Sequence, residues 1–359
     1  LQFEFTNPQT DFERAIGGSF SINAFGSIHV GDGLKFREFL NRSAPPSRTT
    51  VYIDSTGGNV DEAMVIGRAI RDRWFSTSIG KYLLDPNEIS NVSHLMVPRV
   101  WLPGKCMSAA TLVFIGGKLR YFPQGSEFGV HQFSFKNPSP DNVSQSQVLS
   151  AKIARYIADM GISPDFLEFS SSVRSDTILL ANENNLKVLG VATGGETDVD
   201  WTVQARGMIY ARGERDSLYG HHKILFGYIK GSGFIFWAVI EAQGREDQMI
   251  SFELVEIVLN GEEKRIDISD RCARVPSGGI YVNVFVKITE TEARAIAYST
   301  SVGVHIRFSS DAPVFLGIAA MTTAGGTEQL ETIYNAFSAD DLDESLPIAE
   351  DRPPPPPAE

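Results

Sequence analysis

Three short stretches of this sequence carry residue types that can do nucleophilic chemistry. The first is Asp54-Ser55-Thr56-Gly57-Gly58-Asn59-Val60, between a strand-like run and a helical one. Paired glycines let the backbone turn tightly and come close to a ligand. Their N–H groups, near a helix start, can face a developing oxyanion; an ordinary turn uses the same dipeptide. The second is Gly104-Lys105-Cys106-Met107-Ser108-Ala109-Ala110, which leads into a strongly apolar helical run. Ser108 there can cap the helix, or it can be a nucleophile facing a cleft with the next N–H, that of Ala109, as an oxyanion donor. The third is Phe128-Gly129-Val130-His131-Gln132-Phe133. A histidine ending an apolar strand is commonly a satisfied core residue. A serine nucleophile, however, needs a base within about 3 Å, and histidine is the usual one near neutral pH.

The spacing around Ser108 is not the GxSxG turn of the α/β-hydrolases. In order and mutual spacing, with His131 23 residues after Ser108, the three stretches instead resemble the Clp protease proteolytic subunit family. The resemblance covers roughly residues 15–195. It is closer still to a branch of bacterial Clp-like proteins assigned to the periplasm, through Cys106-Met107-Ser108-Ala109, Gly116-Gly117-Lys118-Leu119-Arg120 and Gly129-Val130-His131-Gln132. Two positions depart from the pattern. Ala110 stands where that branch has a second cysteine, and Thr56 where the protease often has proline.

The resemblance implies a ClpP/crotonase-like spiral of ββα units. It implies Ser108 as nucleophile, His131 as general base and Asp176 as the acid that orients His131. Asp176 stands shortly before Leu180–Val191, which matches a conserved family segment, at an offset one residue longer than in the protease. The backbone N–H groups of Gly57 or Gly58 and of Ala109 would form the oxyanion hole. Ring assembly through a long helix at about residues 144–160 is expected by the same analogy. So is an extracytoplasmic location, with the cytoplasm as the alternative.

The elements around these residues follow from periodicity. Phe20–Gly26, Thr50–Asp54, Ser76–Lys81 and Phe128–Gln132 read as strands. Asp61–Trp74 and Ser108–Ile115 read as helices, as do the segments marked by Leu149, Ile153, Tyr156, Ile157 and Met160, by Ser163-Pro164, and by Leu186–Leu189 before Gly190. Alternating strands and helices predict an α/β domain with a mainly parallel sheet over residues 1–199. Leu83–Pro103 is expected to form a lid or an edge feature. From Val203 the pattern turns to short β-branched runs: Ile224–Ile229, Phe234–Ile240, Phe252–Leu259 and Ile280–Ile288. Asn260-Gly261 is a hairpin signal. Residues 200–338 therefore read as a mostly antiparallel sandwich or barrel, with helices at Glu290–Tyr298 and Thr327–Phe337 and a turn at His221-His222.

Residues 339–359 read as a disordered acidic, proline-rich tail. Asp340–Glu359 hold seven acids against Arg352 alone, so much of the net charge of -12 sits there. No basic stripe points to nucleic acid or anionic lipid. No apolar run is long enough to span a membrane as a helix. Cys106 and Cys272 lack metal-ligand spacing and are expected to be two unpaired thiols rather than a disulfide. No metal, cofactor or nucleotide site is expected, so ATP-driven unfolding would need another protein. Leu1 follows no signal-peptide pattern, so either a leader has been removed or the chain is a trimmed form. The leading expectation is a serine peptidase or related acyl hydrolase on a peptide or protein substrate. A catalytically inactive scaffold or binding module is the alternative. A crotonase-type acyl-CoA enzyme ranks third, since no basic pocket for the CoA phosphates is evident.

Overall fold

The computed structural model describes residues 1–15, 20–85, 95–133 and 140–338. The expected tail at 339–359 and residues 86–94 of the 83–103 segment lie outside them. The chain divides into two units, the first Leu1–Thr197 and the second beginning at Asp198.

In chain order the first unit begins with β1 (Gln2–Thr6), α1 (Asp11–Ala15), β2 (Ser21–Phe25), α2 (Asp32–Ser43), β3 (Thr50–Asp54), α3 (Val60–Asp72) and β4 (Ser76–Ile79). It continues through β5 (Lys81–Leu84), β6 (Arg99–Leu102), β7 (Lys105–Met107), α4 (Ala110–Ile115), β8 (Arg120–Tyr121) and β9 (Glu127–Val130). It closes with α5 (Pro140–Asp159), α6 (Asp165–Ser171), β10 (Leu179–Leu180) and α7 (Glu183–Val188). A five-stranded sheet has the order β1-β2-β3-β4-β8, parallel from β2 onward. A smaller sheet, β10-β9-β7, pairs β7 with β9 in parallel and β9 with β10 antiparallel. Of the 83–103 segment, Leu83 and Leu84 end β5 and Arg99–Leu102 form β6, which pairs antiparallel with β5.

The sequence explains these elements locally. Asn59 caps α3 by accepting the Glu62 N–H at 3.0 Å. Ala63, Ile66, Gly67 and Ile70 form its buried face, as the 3.6 period requires. The helix stops two residues earlier than expected, because Trp74 adopts φ 59° and turns the chain toward β4. All six residues of α4 are buried, so the helix is held from every side. Gly116 lies against the backbone of Gly67, where a Cβ would meet the Gly67 carbonyl oxygen at 2.4 Å. Arg71 donates to the carbonyls of Ile115, Gly116 and Gly117, consuming acceptors that the end of a helix leaves unsatisfied. Arg120 is also buried and donates to Gly117, Gly190 and Val191, tying that turn to the end of the unit.

The second unit has β11 (Asp200–Ala205), β12 (Ile209–Ser217), β13 (Gly220–Ile229), β14 (Gly233–Glu241), α8 (Glu246–Ser251), β15 (Leu254–Leu259) and β16 (Lys264–Asp267). After these come β17 (Ala273–Ser277), β18 (Tyr281–Lys287), α9 (Glu290–Ala297), β19 (Ser301–Arg307), β20 (Leu316–Thr322) and α10 (Thr327–Ser338). Two open antiparallel sheets, β11-β12-β13-β14-β18-β17 and β16-β15-β19-β20, contribute to one apolar core with α9 and α10. Asn260 and Gly261 take φ 55° and 63° in the turn joining β15 to β16, the positive values such a hairpin needs. The His221-His222 turn expected from sequence is instead the start of β13, with both residues buried. The turn lies just before them, at Leu218-Tyr219, because Ser217 pairs with Gly220.

Candidate functional site

β7 brings the glycine loop and the histidine strand to the same serine. On one side, Ser55 N–H donates to the Lys105 carbonyl and Met107 N–H to the Ser55 carbonyl, so the chain leaving β3 runs beside β7. On the other side, β7 pairs with β9 in the register Cys106↔Phe128 and Met107↔Gly129, and Ser108 N–H donates to the Gly129 carbonyl at 2.9 Å. Parallel register then carries His131 alongside the turn that holds Ser108.

Ser108 does not cap the helix. α4 begins after Ala109 and receives no side-chain cap. Ser108 sits between strand and helix at φ 55°, a left-handed conformation that costs a residue with a Cβ roughly 1–2 kcal/mol. Its carbonyl accepts from both the Thr111 N–H and the Thr111 hydroxyl, which helps to hold the turn. Gly57, at φ 92°, packs directly on this turn. A Cβ there would lie 2.9 Å from both Ser108 Cβ and the Ala109 nitrogen, and 2.6 Å from the Met107 carbonyl oxygen. Only glycine allows that approach.

Of the expected backbone donors, the Gly57 N–H is engaged with Ser55 Oγ at 3.1 Å. The N–H groups of Gly58 and Ala109 have no hydrogen-bond acceptor among the described residues. Ala109 is fully buried, and an unspent buried N–H is uncommon enough to call for an explanation.

His131 and Ser108 line one pocket, together with Leu112, Phe133, Ile157 and Phe166. The pocket holds about 10 Å³, roughly one water. His131 Nδ1 lies 2.8 Å from the Gln132 carbonyl oxygen. A carbonyl only accepts, so Nδ1 carries the proton and Nε2 keeps the basic lone pair. Among the described residues, no hydrogen bond joins His131 to Ser108.

Among the described residues, no hydrogen bond joins Asp176 to His131. Its carboxylate takes two bonds from Arg174, 2.8 Å from Nη2 and 3.2 Å from Nε, and one from the Thr177 hydroxyl at 3.1 Å. The Arg174 bonds, then that of Thr177, lower its pKa. The loop carrying it is nonetheless fastened to the histidine strand at both feet. Gln132 N–H donates to the Val173 carbonyl at 2.8 Å, and Leu179 pairs with Val130. β10, a two-residue strand too short to show periodicity, supplies the second foot.

Cys106, just before the serine, is fully buried and free, and burial pushes its thiol pKa well up. Cys272 is free as well. Burial makes Cys106 a packing residue rather than a competing nucleophile.

No protein-family model matches this chain, and no curated protein matches it. Among solved structures it is similar to ClpP1 from Listeria monocytogenes, with 16% identity and a TM-score of 0.34 over 48% of this chain and 88% of that one. It is also similar to the ClpP1 N165D mutant from Listeria monocytogenes, with 15% identity and a TM-score of 0.34 over the same shares.

Proposed function

We propose that the first unit is a serine acyl hydrolase of the Clp type, and a peptidase in particular. The observation that carries this reading is the left-handed Ser108, set in a pocket with His131 and flanked by the uncommitted N–H groups of Gly58 and Ala109. Trp74 and Asn260 share that conformation at structural turns; what supports a functional turn at Ser108 is the strain together with the pocket and the uncommitted donors. In the reaction, His131 Nε2 takes the Ser108 hydroxyl proton as Oγ attacks the substrate carbonyl. The Gly58 and Ala109 N–H groups receive the oxyanion. The tetrahedral species collapses as His131 gives its proton to the leaving amine or alcohol, and water then releases the acyl group by the same steps. Asp176 completes the triad when its carboxylate leaves Arg174 and accepts the hydrogen bond of the His131 Nδ1–H in place of the Gln132 carbonyl. What supports that exchange is the loop anchored one residue either side of His131.

Labelling with a fluorophosphonate probe tests the proposal. Wild-type protein is expected to label, and Ser108→Ala and His131→Ala to lose the label. Removing a general base costs about 10²–10⁴-fold in such chemistry. A second reading, a binding module that keeps the fold without activity, is favoured by the Asp176–Arg174 bond and the water-sized pocket. Folded wild-type protein that resists the probe would establish that reading and remove the first.

A further inference from the structure

The second unit holds a cavity of about 450 Å³ between the β12–β14 end of one sheet and β20 of the other. That is the size range of small-molecule sites, roughly 300–1,000 Å³. One wall is apolar: Met249, Leu316 and Phe315. The Phe315 ring is fixed by stacking on buried His305, with centroids 3.5 Å apart. Gly317, at φ 120°, holds β20 so close to β19 that a Cβ would stand 2.2 Å from the Val304 carbonyl oxygen. The wall is therefore preset, which lowers the cost of binding. Tyr219 and Val314, both exposed, flank the opening.

The charged lining is unequal. Arg215 is buried in the wall, and Nη2 donates to the Ala319 carbonyl at 3.1 Å. Arg245 stands exposed at the rim, and its guanidinium has no hydrogen bond or ion pair among the described residues. The acid in the lining, Glu241, accepts the His221 N–H at 2.8 Å. A guanidinium fork matches a carboxylate in two parallel bonds. The nearby Glu241 charge disfavours a doubly charged anion such as a phosphate monoester.

We propose that this cavity binds an apolar chain ending in a single carboxylate, with Arg245 clasping the carboxylate and the chain lying against Met249, Leu316 and Phe315. Two sources share that chemistry: a free organic acid, and the C-terminal residue of a polypeptide. The site does not depend on Ser108, so its test and the labelling test above stand apart.

Isothermal titration calorimetry on the full Ser108→Ala chain decides the matter, with octanoate, octanamide, and a leucine-ending hexapeptide with free or amidated C-terminus as probes. Octanoate or the free peptide is expected to bind saturably, with its amide about tenfold or more weaker, because one charge-assisted bond is lost. Arg245→Gln, an exposed change that leaves the core intact, is expected to cause the same loss. Tighter binding of the free peptide names a polypeptide end as the source, and tighter binding of octanoate names a free acid. Equal binding of acids and amides, no effect of Arg245→Gln, or no saturable binding by any probe overturns the proposal.

Discussion

Two of the arginine–carboxylate pairs in the first unit share their chemistry and have opposite standing. Glu13 on α1 meets Arg99 on β6 through bonds of 2.9 and 3.1 Å, and the side chains are 0% and 4% exposed. The same carboxylate also accepts the N–H groups of Gln9 and Val97. Asp176 meets Arg174 with side chains 62% and 81% exposed, and the backbone donor at the aspartate is its own N–H. Burial makes the first pair compulsory, since breaking it leaves an uncompensated charge away from water. Solvent makes the second exchangeable, since water replaces either partner at little cost. The molecule fixes the Glu13–Arg99 pair and leaves the Asp176 carboxylate free to change partners.

Each half of this contrast can be broken separately. Glu13→Gln is expected to destabilise the unit by about 3–5 kcal/mol, read by denaturant unfolding, because Arg99 stays buried without its counter-charge. The wild-type pair also responds to acid. The bonds from Arg99, opposed by the cost of burial and aided by the two backbone donors, bring the Glu13 pKa down from 4.5 to about 2. Its stabilisation is thus complete above about pH 4.5 and lost as pH falls toward 2. An unfolding midpoint flat across that window would show that the pair is not holding the hairpin.

Gly57→Ala is expected to cost about 2–4 kcal/mol and most of the probe labelling, since the added Cβ meets the backbone on both sides of Ser108 at a positive φ. Unchanged labelling would mean that the loop does not shape the site. Asp176→Asn is expected to leave the thermal midpoint unchanged and to slow turnover by about 10⁴-fold, as loss of a triad acid does. If turnover is untouched, the Gln132 carbonyl alone orients His131.

Arg174→Ala is expected to raise turnover about two- to fivefold, the range an exposed ion pair can hold back. A fall instead would give Arg174 a positive role at the site. The smallest effect concerns strain. Ser108→Gly is expected to be about 0.5 kcal/mol more stable than Ser108→Ala, because glycine relieves the left-handed penalty but gains freedom when unfolded. Chemical denaturation of the two inactive variants resolves it, and equal midpoints would remove the claim of strain.

Local pattern accounts for much of what was legible. The buried face of α3, the strand at Thr50–Asp54 and the hairpin at Asn260-Gly261 each depend on residues a few positions apart. Such signals survive in a linear reading because helix and strand periods are short. His221-His222 failed on the same ground. A glycine directly after the true hairpin tip looks like the turn itself, and only cross-strand pairing of Ser217 with Gly220 places it.

By itself, then, the sequence determined which residues could react: a serine opening an apolar helix, a histidine ending a strand, and two glycines before a helix. Tertiary structure alone decided their state. It set Ser108 at φ 55° by bonding its N–H to Gly129 and packing Gly57 upon it. It gave the Gly57 N–H to Ser55 and, among the described residues, left those of Gly58 and Ala109 unspent. It turned Asp176 to Arg174 while both feet of its loop held the strand of His131. The physical reason is range. Residue type and periodicity are written within a few positions, whereas strain, unspent donors and the choice between two partners for one carboxylate arise only when distant backbone segments meet.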